Sequence, residues 1–181
     1  MTLTVVILAK NEERHIARAL ESVETIADHC VLVDSGSIDR TVEIARAKGA
    51  SVLVHPFITQ AQQFNWAIDQ LPKDTEWVLR LDADEIITEA LNIEILDKLA
   101  DLSPRIQGVF VSRRMNFLGR RIEWGGVFPV RILRLFRHGH GHCENRWMDE
   151  HIIVEGQTTE FSGEIIDDNL NSLTWWTEKH N

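Results

Sequence analysis

Asp82-Ala83-Asp84 closes an apolar run, Trp77-Val78-Leu79 with Leu81. An acid pair at the carboxyl end of a buried strand sits where open α/β sheets bind their ligands. Carboxylate oxygens suit hard divalent cations, and Mg²⁺ typically takes one or two of them together with substrate phosphates. The chemistry this suggests is a metal held against a diphosphate. The pair alone is a weak signal, because acids crowd into solvated loops. Its weight comes from two further strand ends. Lys10-Asn11-Glu12 follows the β-branched run Thr4-Val5-Val6-Ile7-Leu8, and Asp34-Ser35-Gly36-Ser37 follows Cys30-Val31-Leu32-Val33. In a parallel sheet these ends share one edge, forming a crevice whose default ligand is a nucleotide.

The elements that would position these residues alternate strand and helix, as in a parallel α/β sheet. Ile16, Leu20, Val23 and Ala27 recur at helical spacing after the first strand. Asp39 reads as the N-cap of a second helix carrying Val42, Ala45 and Ala47. Ser51 to Val54 reads as a third strand, and Gln60 to Leu71 as a helix stopped by Pro72. Glu76 to Leu81 is the fourth strand; Leu91, Ile95, Leu99 and Leu102 stripe the helix after it, with Glu85 as a helix-start charge. Beyond Pro104, Gly108 to Ser112 and Val130 to Phe136 read as strands, and helical character returns only at Ser172 to His180. The expectation is an α/β fold, a mostly parallel central sheet flanked by helices with a mixed-sheet C-terminal half. It forms a single domain over residues 1–181, divided into a nucleotide-binding half (1–103) and an acceptor-side half (104–181). The chain stops in mid-pattern at Lys179-His180-Asn181, as a truncated chain would.

Composition narrows the partners. A formal net charge of −9 argues against nucleic acid. Arg113, Arg114, Arg120, Arg121, Arg131, Arg134 and Arg137 crowd one stretch, which suggests a local anionic ligand or an anionic membrane surface. Cys30 and Cys143 lack a pairing pattern and fit a reducing, cytoplasmic setting, and no run reaches membrane-spanning length. The chain would be soluble or at most peripheral at the inner face of the membrane. His138, His140 and His142 would share one face of a strand, too flat for a tetrahedral metal cage.

The ordered set Val5 to Glu13, Val33-Asp34-Ser35-Gly36-Ser37 with Asp39-Arg40-Thr41, and Leu81-Asp82-Ala83-Asp84-Glu85 resembles family 2 glycosyltransferases of the GT-A fold. Asn116-Phe117-Leu118-Gly119, Trp124-Gly125-Gly126 and Arg134-Leu135-Phe136-Arg137 continue the likeness, which is greatest to bacterial enzymes of lipopolysaccharide-core and capsule assembly. The resemblance implies that Lys10 and Glu12 line the base and ribose of a nucleotide sugar, and that Asp34 accepts a hydrogen bond from the base. It implies that Asp82 meets ribose or metal, that Asp84 binds Mg²⁺ or Mn²⁺, and that Trp124 belongs to the substrate site. It favours a UDP-sugar donor and a saccharide or lipid-linked saccharide acceptor. An inverting transfer needs a base on the far side of the sugar; Glu150 occupies the matching position, with Asp149 second. Two positions depart from the pattern. Phe64 stands where similar chains carry an arginine near the diphosphate, a role Arg80 or Arg131 would then take. Asp167 stands where a metal-binding histidine is usual, which would make the site all-oxygen. The competing readings are nucleotidyl transfer, against which the lack of a Gly-rich phosphate loop argues, and a non-catalytic nucleotide- or glycan-binding domain.

Overall fold

A computed structural model describes residues 1–123, 130–146 and 150–180. The first strand, β1 (Leu3–Ala9), is buried along nearly its whole length, as its continuous apolar run requires of a strand covered on both faces. It pairs in parallel with β2 (His29–Asp34) on one side and β4 (Trp77–Asp82) on the other, and β3 (Ser51–Val54) extends the parallel set beyond β2. The helices α1 (Ile16–Val23), α2 (Thr41–Ala47) and α3 (Gln60–Asp69) make the crossovers. Ile16, Ala19, Leu20 and Val23 are the buried stripe of α1. The helix ends at Val23, short of the span to Ala27 read from the periodicity, and Ala27 packs against the core just after the turn that follows.

The second half departs further from the sequence reading. Directly after Asp84 the chain forms a short strand, β5 (Glu85–Ile87), before α4 (Glu89–Lys98), whose N-cap is Thr88. Then come β6 (Ile106–Phe117), β7 (Arg120–Arg121), β8 (Val130–Arg137), β9 (Gly141–Cys143), β10 (Ile152–Val154), β11 (Gln157–Asp168) and α5 (Leu173–His180). Among the described residues, a nine-stranded sheet runs β3-β2-β1-β4-β8-β6-β11-β5 with β7 beside β6, and β9 and β10 form a separate pair. β8 is antiparallel to β4 and β6, while β11 is parallel to β6. The carboxyl ends of β1, β2, β4, β6 and β11 therefore share one edge. No helix among the described residues is long and apolar enough to cross a membrane.

The long strand β11 was not legible because it alternates little: Gln157-Thr158-Thr159-Glu160 is polar, and the register against β6 shifts between Glu160 and Glu164. Gly163 lies at this irregularity, its N–H donating to Glu94 Oε2 at 2.7 Å. A Cβ there would fall 2.5 Å from the Leu91 Cα, a backbone atom of α4 that cannot step aside. Gly163→Ala should therefore cost about 1–3 kcal/mol in chemical denaturation, the usual range for forced overpacking.

Candidate active site

Arg134 organises the edge. It sits in the middle of β8 and is 5 % exposed, so its charge must be answered inside the protein. Nη2 donates to Glu85 Oε1 at 2.6 Å and to Asp82 Oδ2 at 2.9 Å. Glu85 in turn accepts the Asp82 N–H through Oε2 at 2.9 Å, which fixes the turn between β4 and β5. Glu85 is thus a buried structural acid and not the helix-start charge expected from the sequence. Burial, helped by the charge of Asp82, raises its pKa against the pull of Arg134. For Asp82 burial also favours the neutral form, yet Arg134 and Arg80 outweigh it and hold the carboxyl down at about 2. Asp82 is therefore a fixed anion. Its Oδ1 is 3.7 Å from Arg80 Nε.

Asp84 and Asp167 meet on the next side of this turn. The Asp168 N–H donates to the Asp84 carbonyl at 3.1 Å, and Asp167 pairs with Glu85 across β11 and β5. Burial and the charge of Asp84 raise the Asp167 pKa to about 6. Asn169 Nδ2 donates to Asp84 Oδ2 at 2.9 Å. Asp84, Asp167, Asn169 and Trp175 line one cleft of about 480 Å³. Two half-buried carboxylates, Asp84 raising the proton affinity of Asp167, fit a hard cation whose remaining ligands are phosphates and water. Among the described residues, no three His, Cys, Asp or Glu side chains converge into a cage of their own. His138 and His140 flank a turn at Gly139 (φ +82°) and only His142 lies in β9, so the three histidines do not share the strand face expected of them.

The position of Asp167 is held from α1. Arg18 Nη1 donates to Asp168 Oδ2 at 2.8 Å, and Nη2 to the Asp168 carbonyl at 2.7 Å. The Leu170 N–H donates to His15 Nε2 at 2.9 Å; the ring proton then lies on Nδ1, shared with Glu12 Oε2 at 2.6 Å. The Glu12 carboxylate is thereby engaged by a buried histidine. The raised pKa of Asp167 also has a consequence for stability. An acid whose folded pKa lies above its unfolded value near 3.8 stabilises below that value, and the benefit is lost as pH rises through about 6. In chelator-treated protein, the melting-temperature gain of Asp167→Asn over wild type should therefore be larger at pH 7.5 than at pH 4.5.

The ends of β1 and β2 are tied to each other. Asn11, in the left-handed region at φ +58°, donates its N–H to Ser37 Oγ at 2.8 Å and accepts the Ile38 N–H at 2.9 Å. Asp34 is buried, and its Oδ2 accepts the N–H groups of Gly36 at 3.0 Å and Ser37 at 3.1 Å, so it builds the loop that borders the crevice. Lys10 is exposed beside it. The N-cap of α2 is Arg40 and not Asp39 as expected, because the helix starts one residue later; Asp39 stands one position before the cap and accepts the Thr41 N–H at 3.0 Å. Phe64 is fully buried in the core, and the guanidinium 5.3 Å from its ring centre belongs to Arg80.

A second cleft, of about 570 Å³, opens on the other side of Asp82 and is lined by Arg80, Arg113, Arg131, Arg134 and Glu150. Among the described residues the Glu150 carboxylate has no hydrogen bond or ion pair. Trp124 and Asp149, two sequence candidates, lie outside the described residues. Sequence reasoning missed Glu85, Arg134, His15 and Arg18. For Arg134 a signal existed: a charge inside the run Ile132-Leu133-Arg134-Leu135-Phe136 must be paired if the strand is buried.

Comparison with known proteins agrees with this geometry. Residues 4–151 match the family model for glycosyl transferase family 2. The lipopolysaccharide core biosynthesis glycosyltransferase LpsC of Rhizobium meliloti is 32% identical over 162 residues, covering 86% of this chain and 58% of that protein. An uncharacterised glycosyltransferase of Rickettsia typhi is 44% identical over 89 residues, 49% of this chain and 30% of its own length. The chain thus spans only part of the curated relatives it matches. Glucosyl-3-phosphoglycerate synthase from Mycobacterium tuberculosis, solved with Mn²⁺ and UDP-glucose, superposes with a TM-score of 0.50 at 25% identity, covering 64% of this chain and 44% of that one. TarS of S. aureus shares the fold at a TM-score of 0.50 and 21% identity, over 76% of this chain and 47% of that one. The chain, with its GT-A architecture, belongs to glycosyltransferase family 2.

Proposed function

We propose that this chain transfers a sugar, with inversion, from a nucleotide-diphosphate donor to a saccharide or lipid-linked saccharide acceptor of a surface glycan. One observation carries the reading: Asp82, at the nucleotide edge, and Glu150, a carboxylate without a partner among the described residues, face the same cleft. The similarity to LpsC supports a lipopolysaccharide acceptor, and the synthase solved with Mn²⁺ and UDP-glucose supports a UDP-sugar and a divalent metal. A cytoplasmic site at the inner face of the membrane goes with such an acceptor.

In this reading Lys10, Glu12 and Asp34 border the base and ribose, with Asp82 nearest the ribose. Asp84 and Asp167 would hold Mg²⁺ or Mn²⁺, which supplies positive charge where the leaving diphosphate gains negative charge. Arg134 keeps Asp82 ionised and in place. Glu150 takes the proton of the acceptor hydroxyl as that oxygen attacks the anomeric carbon from the face opposite the diphosphate.

Product analysis tests the reaction class. Incubation with a panel of UDP-sugars and Mn²⁺ should release UDP; release of pyrophosphate from a nucleoside triphosphate and a sugar phosphate would instead show nucleotidyl transfer. Glu150→Gln should lower kcat by about 10²–10⁴-fold, the range for losing a general base, while donor affinity stays within about twofold. Undiminished turnover in that variant would remove Glu150 from the chemistry.

A further inference from the structure

The cleft that holds Glu150 contains more positive charge than its own acids answer. Arg131 is paired with Glu160 at 2.8 Å and stacks over Phe110 at 4.4 Å. Arg134 is paired through Nη2 with both Asp82 and Glu85, although its Nε is buried without a hydrogen-bond partner. Arg80 is answered less well. It is 5 % exposed, and among the described residues its side chain makes one hydrogen bond, from Nη1 to Cys143 Sγ at 3.5 Å, a weak acceptor. Its Nε is buried without a hydrogen-bond partner and lies 3.7 Å from an Asp82 oxygen, on a carboxylate already engaged by Arg134. The Arg113 side chain makes no hydrogen bond or ion pair among the described residues and reaches Asp82 and Asp167 only through space.

A guanidinium buried this far is costly unless an anion answers it, and its fork of N–H groups matches a carboxylate or phosphate. Neutral sugar hydroxyls would accept hydrogen bonds here but leave the Arg113 charge standing. The donor diphosphate is not the natural partner. It travels with the metal, and the acids that fit a metal, Asp84 and Asp167, line the neighbouring cleft. Phe110, Ile132 and Leu133 give the Arg80 cleft an apolar wall suited to the C–H face of a sugar ring.

We propose that the Arg80–Arg113 corner of this cleft binds a carboxylate or phosphate group carried on a sugar, so that the transferred or the accepting saccharide is anionic. This rests on the transfer reaction proposed above and names its substrate class.

The test is calorimetry on the 181-residue chain. UDP with Mn²⁺ is titrated first; failure to bind would refute the donor reading itself. Glucuronate, glucose 6-phosphate and glucose are then titrated into the UDP–Mn²⁺ complex, and UDP-glucuronate is compared with UDP-glucose on free protein. An anionic acceptor predicts that glucuronate or glucose 6-phosphate binds at least about tenfold tighter than glucose; an anionic donor predicts the same preference for UDP-glucuronate over UDP-glucose. In either case Arg113→Gln should abolish the preference and Arg113→Lys should keep part of it, with UDP affinity unchanged in both. No preference for any anionic sugar would overturn the proposal. So would an equal loss of UDP affinity in Arg113→Gln, which would assign the arginines to the diphosphate.

Discussion

Asp84→Ala should reduce sugar transfer by about 10³-fold or more, because the variant removes one of the two carboxylates that fit the metal opposing charge on the leaving diphosphate. The fold should survive. The Asp84 side chain is half-buried, and among the described residues it accepts one hydrogen bond, from Asn169 at 2.9 Å. Its loss also removes a negative charge that raises Asp167, so the Asp167 pKa should fall below about 6. Apo stability at pH 7.5 should therefore match or exceed that of wild type. A variant with intact circular dichroism and undiminished UDP release would sink the metal role of Asp84.

Arg134→Ala should produce the largest loss of stability, about 3–5 kcal/mol by chemical denaturation, the cost of leaving a buried ion partner unanswered. Arg134 answers two acids, and Glu85 among them is 1 % exposed. The loss should depend on pH in a defined direction. Without Arg134, Glu85 takes up a proton more readily, and a neutral carboxyl needs no cation. The deficit relative to wild type should thus be smaller at pH 5 than at pH 8. Arg134→Ala combined with Glu85→Gln should be less destabilised than the sum of the single variants, since the pair acts as a unit. A small, pH-independent deficit in Arg134→Ala would show that the network does not hold the β4–β5 turn.

How much of this was legible in the sequence differs between the halves. The parallel strands β1 to β4 declared themselves through continuous β-branched runs, and strand ends in such a sheet must share an edge; the crevice followed from that alone. The second half is built on contacts distant in sequence, which periodicity does not carry. Glu85 looks like a helix-start acid until Arg134, 49 residues later, is seen beside it. Asp167 was singled out by its place in the chain, but what sets it against Asp84 is Arg18, 150 residues from Asp168. β5 has three residues, too few for an alternating signal, and β11 hides its apolar face behind a register shift and polar ends. Asp34 and Asp39 show the other side of this: both have complete local hydrogen-bonding roles, so geometry explains them before any ligand is invoked.

A metal and a nucleoside diphosphate are proposed to share the edge formed by Asp82, Asp84 and Asp167. Titration of UDP into the chain with Mn²⁺, and again with chelator, addresses it directly. Binding should be at least about tenfold tighter with Mn²⁺, and that gain should be lost in Asp84→Ala. UDP affinity that is the same with and without Mn²⁺ in wild type would contradict it.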